Sequence, residues 1–217
     1  MKDNFSVQSA EYARFRPTYP PALYDFLFAH CSRFESAWDC GTGNGQMALA
    51  LAERFSRVVA TDISQQQLSQ AQPHPRVEYR AGPAESPTLP GQSVDLITAG
   101  QAAHWFHLEK FYTEVQRVLR PGGLLALIGY GLLRVDAPTD AVIDHLYEQV
   151  LGKYWDSERR HVDMAYDSLF FPFEPLPFPQ MHICYSWTLE QMLGFLSTWS
   201  AVQHFVRQHD AWPFSRE

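Results

Sequence analysis

The chain has 217 residues, 46% hydrophobic and 19% charged, which is enough for one sizeable core and too short for two ordinary domains. A net charge of −7 argues against a broad nucleic-acid footprint, because phosphate affinity rests on clustered Lys and Arg. Cys31, Cys40 and Cys184 suggest neither a disulfide framework nor a zinc site, and no apolar run has signal-peptide or membrane-spanning character, so a cytoplasmic protein without a membrane partner is expected.

Pro20 and Pro21 open a helix over ALYDFLFAHC, since proline fits a first turn whose N–H groups have no helical partner. Ser36 to Cys40 reads as a buried strand, followed by a glycine-rich loop and a helix over MALALAERF. RVVATD (57–62) is a second strand, and Ser64 is a suitable N-cap for the helix QQQLSQA. RVEYRAG (76–82) and VDLITAG (94–100) are the third and fourth strands, with too little room between them for a long helix. LEKFYTEVQRVL is helical until Pro121-Gly122-Gly123, and LLALIGY (124–130) is a fifth strand. Apolar strands alternating with helices indicate a parallel sheet covered on both faces.

After Tyr130 the rhythm changes. A helix over TDAVIDHLYEQVLGKYW leads into charged DSERRH and proline-rich FFPFEPLPFPQ. MHICYSW (181–187) reads as another strand, and LEQMLGFLSTWSAVQHFV as one last helix.

The stretch AWDCGTGNG, Ala37 to Gly45, sets three glycines at alternate positions after the first strand. In an open parallel sheet this loop lies where ligands bind, so the backbone is being cleared for a close approach. A dinucleotide fingerprint needs Gly or Ala at the sixth position from Gly41, where Gln46 stands. The pattern acid-x-Gly-x-Gly-x-Gly instead fits throughout, at Asp39, Gly41, Gly43 and Gly45. It suits S-adenosylmethionine, whose amino-acid end carries an ammonium for Asp39 and whose ribose hydroxyls suit Asp62 at the end of the second strand. Asp62 alone does not discriminate, because dehydrogenases place an acid there too.

The chain resembles the class I S-adenosylmethionine-dependent methyltransferases in WDCGTGNG, VVATD, Ala84-Glu85, SVDLITAGQAAHWF and LRPGGLLALIGY. EYARFRPTYPPAL, FPFEP and LSTWSAV look like the trans-aconitate methyltransferase-like (methyltransferase type 11) branch. The resemblance implies a Rossmann-like, doubly wound, mostly parallel sheet in one domain over 1–217. It also implies a cofactor cover at 1–20 and a substrate cap or lid at 136–180. The implied cofactor site comprises Tyr12, Arg16, Asp39, Gly41, Thr42, Gly43, Asp62, Ile63, Ala84, Glu85, Ala99 and Gln101. No catalytic residue is fixed; His104 is a candidate for orienting an acceptor or accepting its proton, and equally a packing residue beside Trp105.

Two departures from the family pattern are visible. After the Trp199 helix only DAWPFSRE remains for a final antiparallel strand. AGQAAHWF stands where base-directed amino methyltransferases carry Asn/Asp-Pro-Pro-aromatic, so a small-molecule acceptor is expected, and the trans-aconitate methyltransferase-like resemblance implies a carboxylic acid as one class. The competing readings are an NAD(P)-dependent oxidoreductase and a non-catalytic protein that binds S-adenosylmethionine.

Overall fold

The computed structural model describes residues 15–214. Five strands form one sheet: β1 (Ser36–Cys40), β2 (Arg57–Asp62), β3 (Val77–Ala81), β4 (Val94–Gly100) and β5 (Leu119–Ile128). Their order is β3-β2-β1-β4-β5, with every neighbouring pair parallel. The order reverses between β1 and β4, so the chain winds outward both ways from that seam and opens a crevice at its carboxyl end.

Alternation along the strands sends side chains to two cores. Ala37, Val58 and Leu96 pack with Leu23 and Leu27 of α1 (Pro21–Ala29) and with Met47 and Leu51 of α2 (Gln46–Ala52). Trp38, Val59 and Ile97 pack with Phe111 and Val115 of α4 (Leu108–Val118). Between these helices α3 (Gln65–Ser69) is a short turn capped as expected, the Ser64 hydroxyl accepting the Gln67 amide at 3.2 Å. No helix joins β3 to β4.

Three expectations are corrected. The fifth strand starts at Leu119, not Leu124: Val94 pairs with Leu119 and Leu96 with Leu124, so β5 takes five steps to two of β4. Pro121-Gly122-Gly123 therefore bulges within the strand, with Gly122 at a φ of 75°. The expected last helix is two, α7 (Leu189–Ser197) and α8 (Ser200–His209). Trp199 between them adopts extended backbone and buries its ring among Tyr147, Trp155 and Phe195. Met181–Trp187 joins no ladder; Met181 packs on the α1 side of the sheet and Trp187 on a third core.

That third core lies outside the sheet. Ile143 of α5 (Ala137–Asp144), Leu146, Leu151 and Tyr154 pack with Phe195 of α7 and Val202 of α8. A π-helical stretch at His145–Val150 carries α5 onward, and the short helix α6 (Arg159–Asp163) begins within DSERRH. The proline-rich segment then joins the two faces: Phe171 and Phe173 contact Tyr112 of α4, and Phe178 contacts Phe26 of α1. No helix among the described residues is long and apolar enough to cross a membrane.

Candidate active site

Asp39 is the penultimate residue of β1, beside the sheet reversal, in register with Ala60 on one side and Thr98 on the other. It is buried, and its carboxylate accepts the Thr98 hydroxyl at 2.8 Å and the hydroxyl of Thr42. Burial raises its pKa to about 6 despite those hydrogen bonds, and the nearby negative charge of Asp62 adds to the rise. A cation arriving here would restore what the missing water no longer supplies.

The glycine loop spends its amides on the protein. Gly41 and Thr42 donate to the Thr61 carbonyl at 2.8 and 2.9 Å, and Gly45 to the Thr42 carbonyl at 3.0 Å. Gly43 donates to one Asp62 oxygen at 2.9 Å, while the other accepts the Ser64 amide at 2.9 Å. An anion-binding loop leaves such amides pointing at its ligand. Here the acid and the turn already hold them, which disfavours a pyrophosphate. Gly41, Gly43 and Gly45 all have left-handed φ values, 69°, 57° and 83°, so the loop's path itself requires glycine.

Over the loop lies an open cleft of about 500 Å³ that includes Asp39, Gly41, Thr42, Gly43, Gly100 and Gln101 in its lining. Arg16 and Tyr19, from the segment before α1, close its other side together with Tyr130. Tyr19 can approach because residue 100 is glycine: a Cβ there would stand 2.6 Å from the tyrosine hydroxyl. One wall thus presents a carboxylate and the other a guanidinium, the complement of an amino-acid zwitterion.

Arg16 and Gln101 also line a second, solvent-open cleft, about 420 Å³ with the space at its mouth included, together with His104, Trp105, Trp155 and Arg159. Trp199 and Ser200 complete it. Gln101 divides the two spaces with a left-handed φ of 52°, fixed by its amide on the Ile128 carbonyl at 2.7 Å and its Nε2 on the Tyr130 carbonyl at 2.8 Å. Arg16 donates to the Tyr130 hydroxyl at 2.9 Å. His104 is hydrogen-bonded through Nδ1 to the Tyr166 hydroxyl at 2.9 Å and lies against Trp105. Burial first, then the charges of Arg159, His161 and Arg16, push its pKa down to about 3, so the ring is neutral at physiological pH. Among the described residues no group of three or more His, Cys, Asp or Glu could hold a metal ion.

A sequence profile of the methyltransferase domain matches residues 38–127, which run from Trp38 to β5. A Dictyostelium discoideum protein named as a methyltransferase is 38% identical over 94% of this chain and 80% of its own length. The chain belongs to the class I S-adenosylmethionine-dependent methyltransferases. A structure described as a type II methyltransferase from Anaeromyxobacter dehalogenans is 47% identical, with a TM-score of 0.83 over 92% of this chain and 85% of that one. A Schizosaccharomyces pombe methyltransferase is 34% identical over 57% of this chain and 51% of its own length, so the chain spans about half of that relative.

In this methyltransferase the sequence-predicted residues Arg16, Asp39, Gly41, Thr42, Gly43 and Gln101 gather on one cleft. Asp62 touches the loop rather than the lining, and Ile63 follows it half-exposed. Ala84 and Ala99 are core residues, and Glu85 accepts the His107 amide at 2.7 Å. Tyr12 lies outside the described residues. Of Arg159, Arg160 and His161 in the charged run DSERRH, Arg159 lines the second cleft; Arg160 is exposed and His161 bonds the Ser168 hydroxyl at 2.7 Å. Sequence reading missed Tyr130, Trp155 and Trp199 as lining residues, although LRPGGLLALIGY ends at Tyr130 and LSTWSAV contains Trp199; for Trp155 the chain's aromatic excess was the available signal.

Proposed function

We propose that this enzyme methylates a small-molecule acceptor, a carboxylic acid of the trans-aconitate methyltransferase-like branch being the first class to test. The carrying observation is the cleft at the sheet reversal with Asp39 on one wall and Arg16 on the other. These residues fit S-adenosylmethionine: Asp39 would take its ammonium, Arg16 its carboxylate and Asp62 its ribose hydroxyls. The Asp62 oxygens already serve the Gly43 and Ser64 amides, and a carboxylate oxygen can accept more than one hydrogen bond. Thr42, Ile63, Ala84, Glu85 and Ala99 are assigned to the same site, with residues 15–20 as part of its cover.

Bound there, S-adenosylmethionine supplies a methyl group on a cationic sulfur, a leaving group that needs no further activation. The chain's own residues then have to orient and to exclude water. Positioning of this kind contributes about 7–11 kcal/mol to lowering a barrier. Gln101 belongs to both clefts and is set to align the two reactants. A carboxylate acceptor requires no base, which suits a neutral His104 whose Nδ1 is committed to Tyr166. His104 is assigned a positioning role, and the segment 136–180 that of the acceptor's cap.

The test is a thermal-shift titration with S-adenosylmethionine, its demethylated product and NADH. Stabilisation by the first two alone is expected, since a ligand bound only to the folded state raises its melting temperature. Stabilisation by NADH alone would overturn the proposal. Binding without turnover across an acceptor panel would favour a non-catalytic role.

A further inference from the structure

The second cleft has a chemistry of its own. Its lining holds two guanidinium groups, Arg16 and Arg159, and no carboxylate, in a chain whose net charge is −7. Their field is felt at His104, whose protonation both arginines oppose.

Arg159 is fixed in an unusual way. Its Nε donates to the Tyr147 hydroxyl at 2.9 Å and to Asp163 at 3.1 Å. The guanidinium lies 5.5 Å from the ring centroid of Tyr147 and 5.1 Å from that of Trp155. All its described hydrogen bonds run through Nε, so the terminal Nη fork is uncommitted while the side chain is already held. The side chain is 20% exposed, and Asp163, the acid facing it, is 43% exposed and correspondingly screened. A pre-oriented fork of this kind matches a carboxylate bidentately and loses little entropy on binding. The rest of the space is bounded by indoles: Trp155 and Trp199 stand 5.5 Å apart at 51°, with Trp105 on the same cleft. Such walls favour a flat apolar body over a hydrated aliphatic one.

We propose that the acceptor is a ring-bearing carboxylate, its planar body laid against the indoles that line the cleft and its anionic group read by the Nη atoms of Arg159. This rests on the methyl-transfer reading above and adds the acceptor's class and the residue that selects it.

The test uses the full chain saturated with S-adenosylhomocysteine, titrated calorimetrically with cinnamate, with its neutral isostere cinnamamide, and with aliphatic hexanoate. Cinnamate is expected to bind at least tenfold more tightly than either of the others. Arg159→Gln should erase the preference for acid over amide while leaving S-adenosylhomocysteine affinity within about twofold, and Arg159→Lys should restore it only in part. Equal binding of acid and amide, no binding of the acid, or an unchanged preference in Arg159→Gln would overturn this inference alone. Failure of S-adenosylhomocysteine to bind would overturn the methyl-transfer reading and this inference with it.

Discussion

Asp62 accepts the amide of Gly43 at 2.9 Å through one carboxylate oxygen and that of Ser64 at 2.9 Å through the other. The acid that closes β2 therefore ties the glycine loop after β1 to the start of α3. Asp62→Ala removes both acceptors at once. It is expected to abolish cofactor binding and to lower stability by about 1–3 kcal/mol for each amide left unsatisfied. Urea denaturation and calorimetry on one sample read the two effects separately. Unchanged cofactor affinity would sink the ribose assignment.

Two neighbouring glycines should respond differently to alanine. At Gly43 a Cβ meets nothing nearer than Gln67 at 3.8 Å, so Gly43→Ala should cost about 1–2 kcal/mol for the left-handed φ. Its main effect should be on cofactor affinity, because residue 43 lines the cleft. At Gly45 the same Cβ would collide with the Tyr79 ring. Gly45→Ala should therefore lose about 1–3 kcal/mol more in stability than Gly43→Ala. Equal stability losses would show that the loop can shift away from Tyr79.

Asp39 predicts a pH dependence opposite to that of a paired surface acid. Its folded pKa is raised to about 6 from an ordinary 3.8, so the folded state holds the proton more tightly than the unfolded chain. That contribution is complete below pH 3.8 and is lost as pH rises through about 6, to the extent of about 3 kcal/mol. Asp39→Asn should remove this share of the pH dependence, gaining on the wild type between pH 4 and 7 in denaturation series without cofactor. A parallel course for the two proteins would contradict the burial argument.

His104 carries the reverse sign. Its folded pKa of about 3 lies below the ordinary 6.5, so its contribution is present above pH 6.5 and is lost as pH falls toward 3. At pH 5 the loss is about 2 kcal/mol, and His104→Asn should suppress it. With a carboxylate acceptor, the rate profile should show no inflection near pH 6.5 that disappears in the same variant.

The sheet was legible because each strand is a local event. Val58, Val59 and Ala60, like Leu96 and Ile97, are apolar on both faces, the mark of a strand buried in a parallel sheet. The cleft's floor was legible for a related reason, since Asp39, Gly41 and Gly43 are neighbours in sequence and their spacing records the loop's geometry. The break at Trp199 was hidden, because the helix yields there to bury an indole among Tyr147, Trp155 and Phe195, residues that the sequence does not bring near. Met181 to Trp187 alternates as a strand should, yet side-chain packing alone satisfies that alternation. Arg159 lies in a run of charges, with Arg160 and His161, that reads either as a solvated surface or as a reader of an acidic substrate. Only the fold shows that one of the three reaches a cavity.

The guanidinium of Arg16 reaches across 182 positions toward the carbonyl of Thr198, at 3.5 Å, and Phe15 fills the space that the bare Cα of Gly194 leaves. During synthesis the strands and glycine loop of the first cleft leave the ribosome well before α7 and α8. The second cleft is thus completed last, when α7 and the Trp199 junction meet residues that emerged near the beginning. A nascent chain stalled before Leu189 would already carry Asp39, the glycine loop and Arg159, and would lack Trp199 and Ser200, the residues that complete the second cleft.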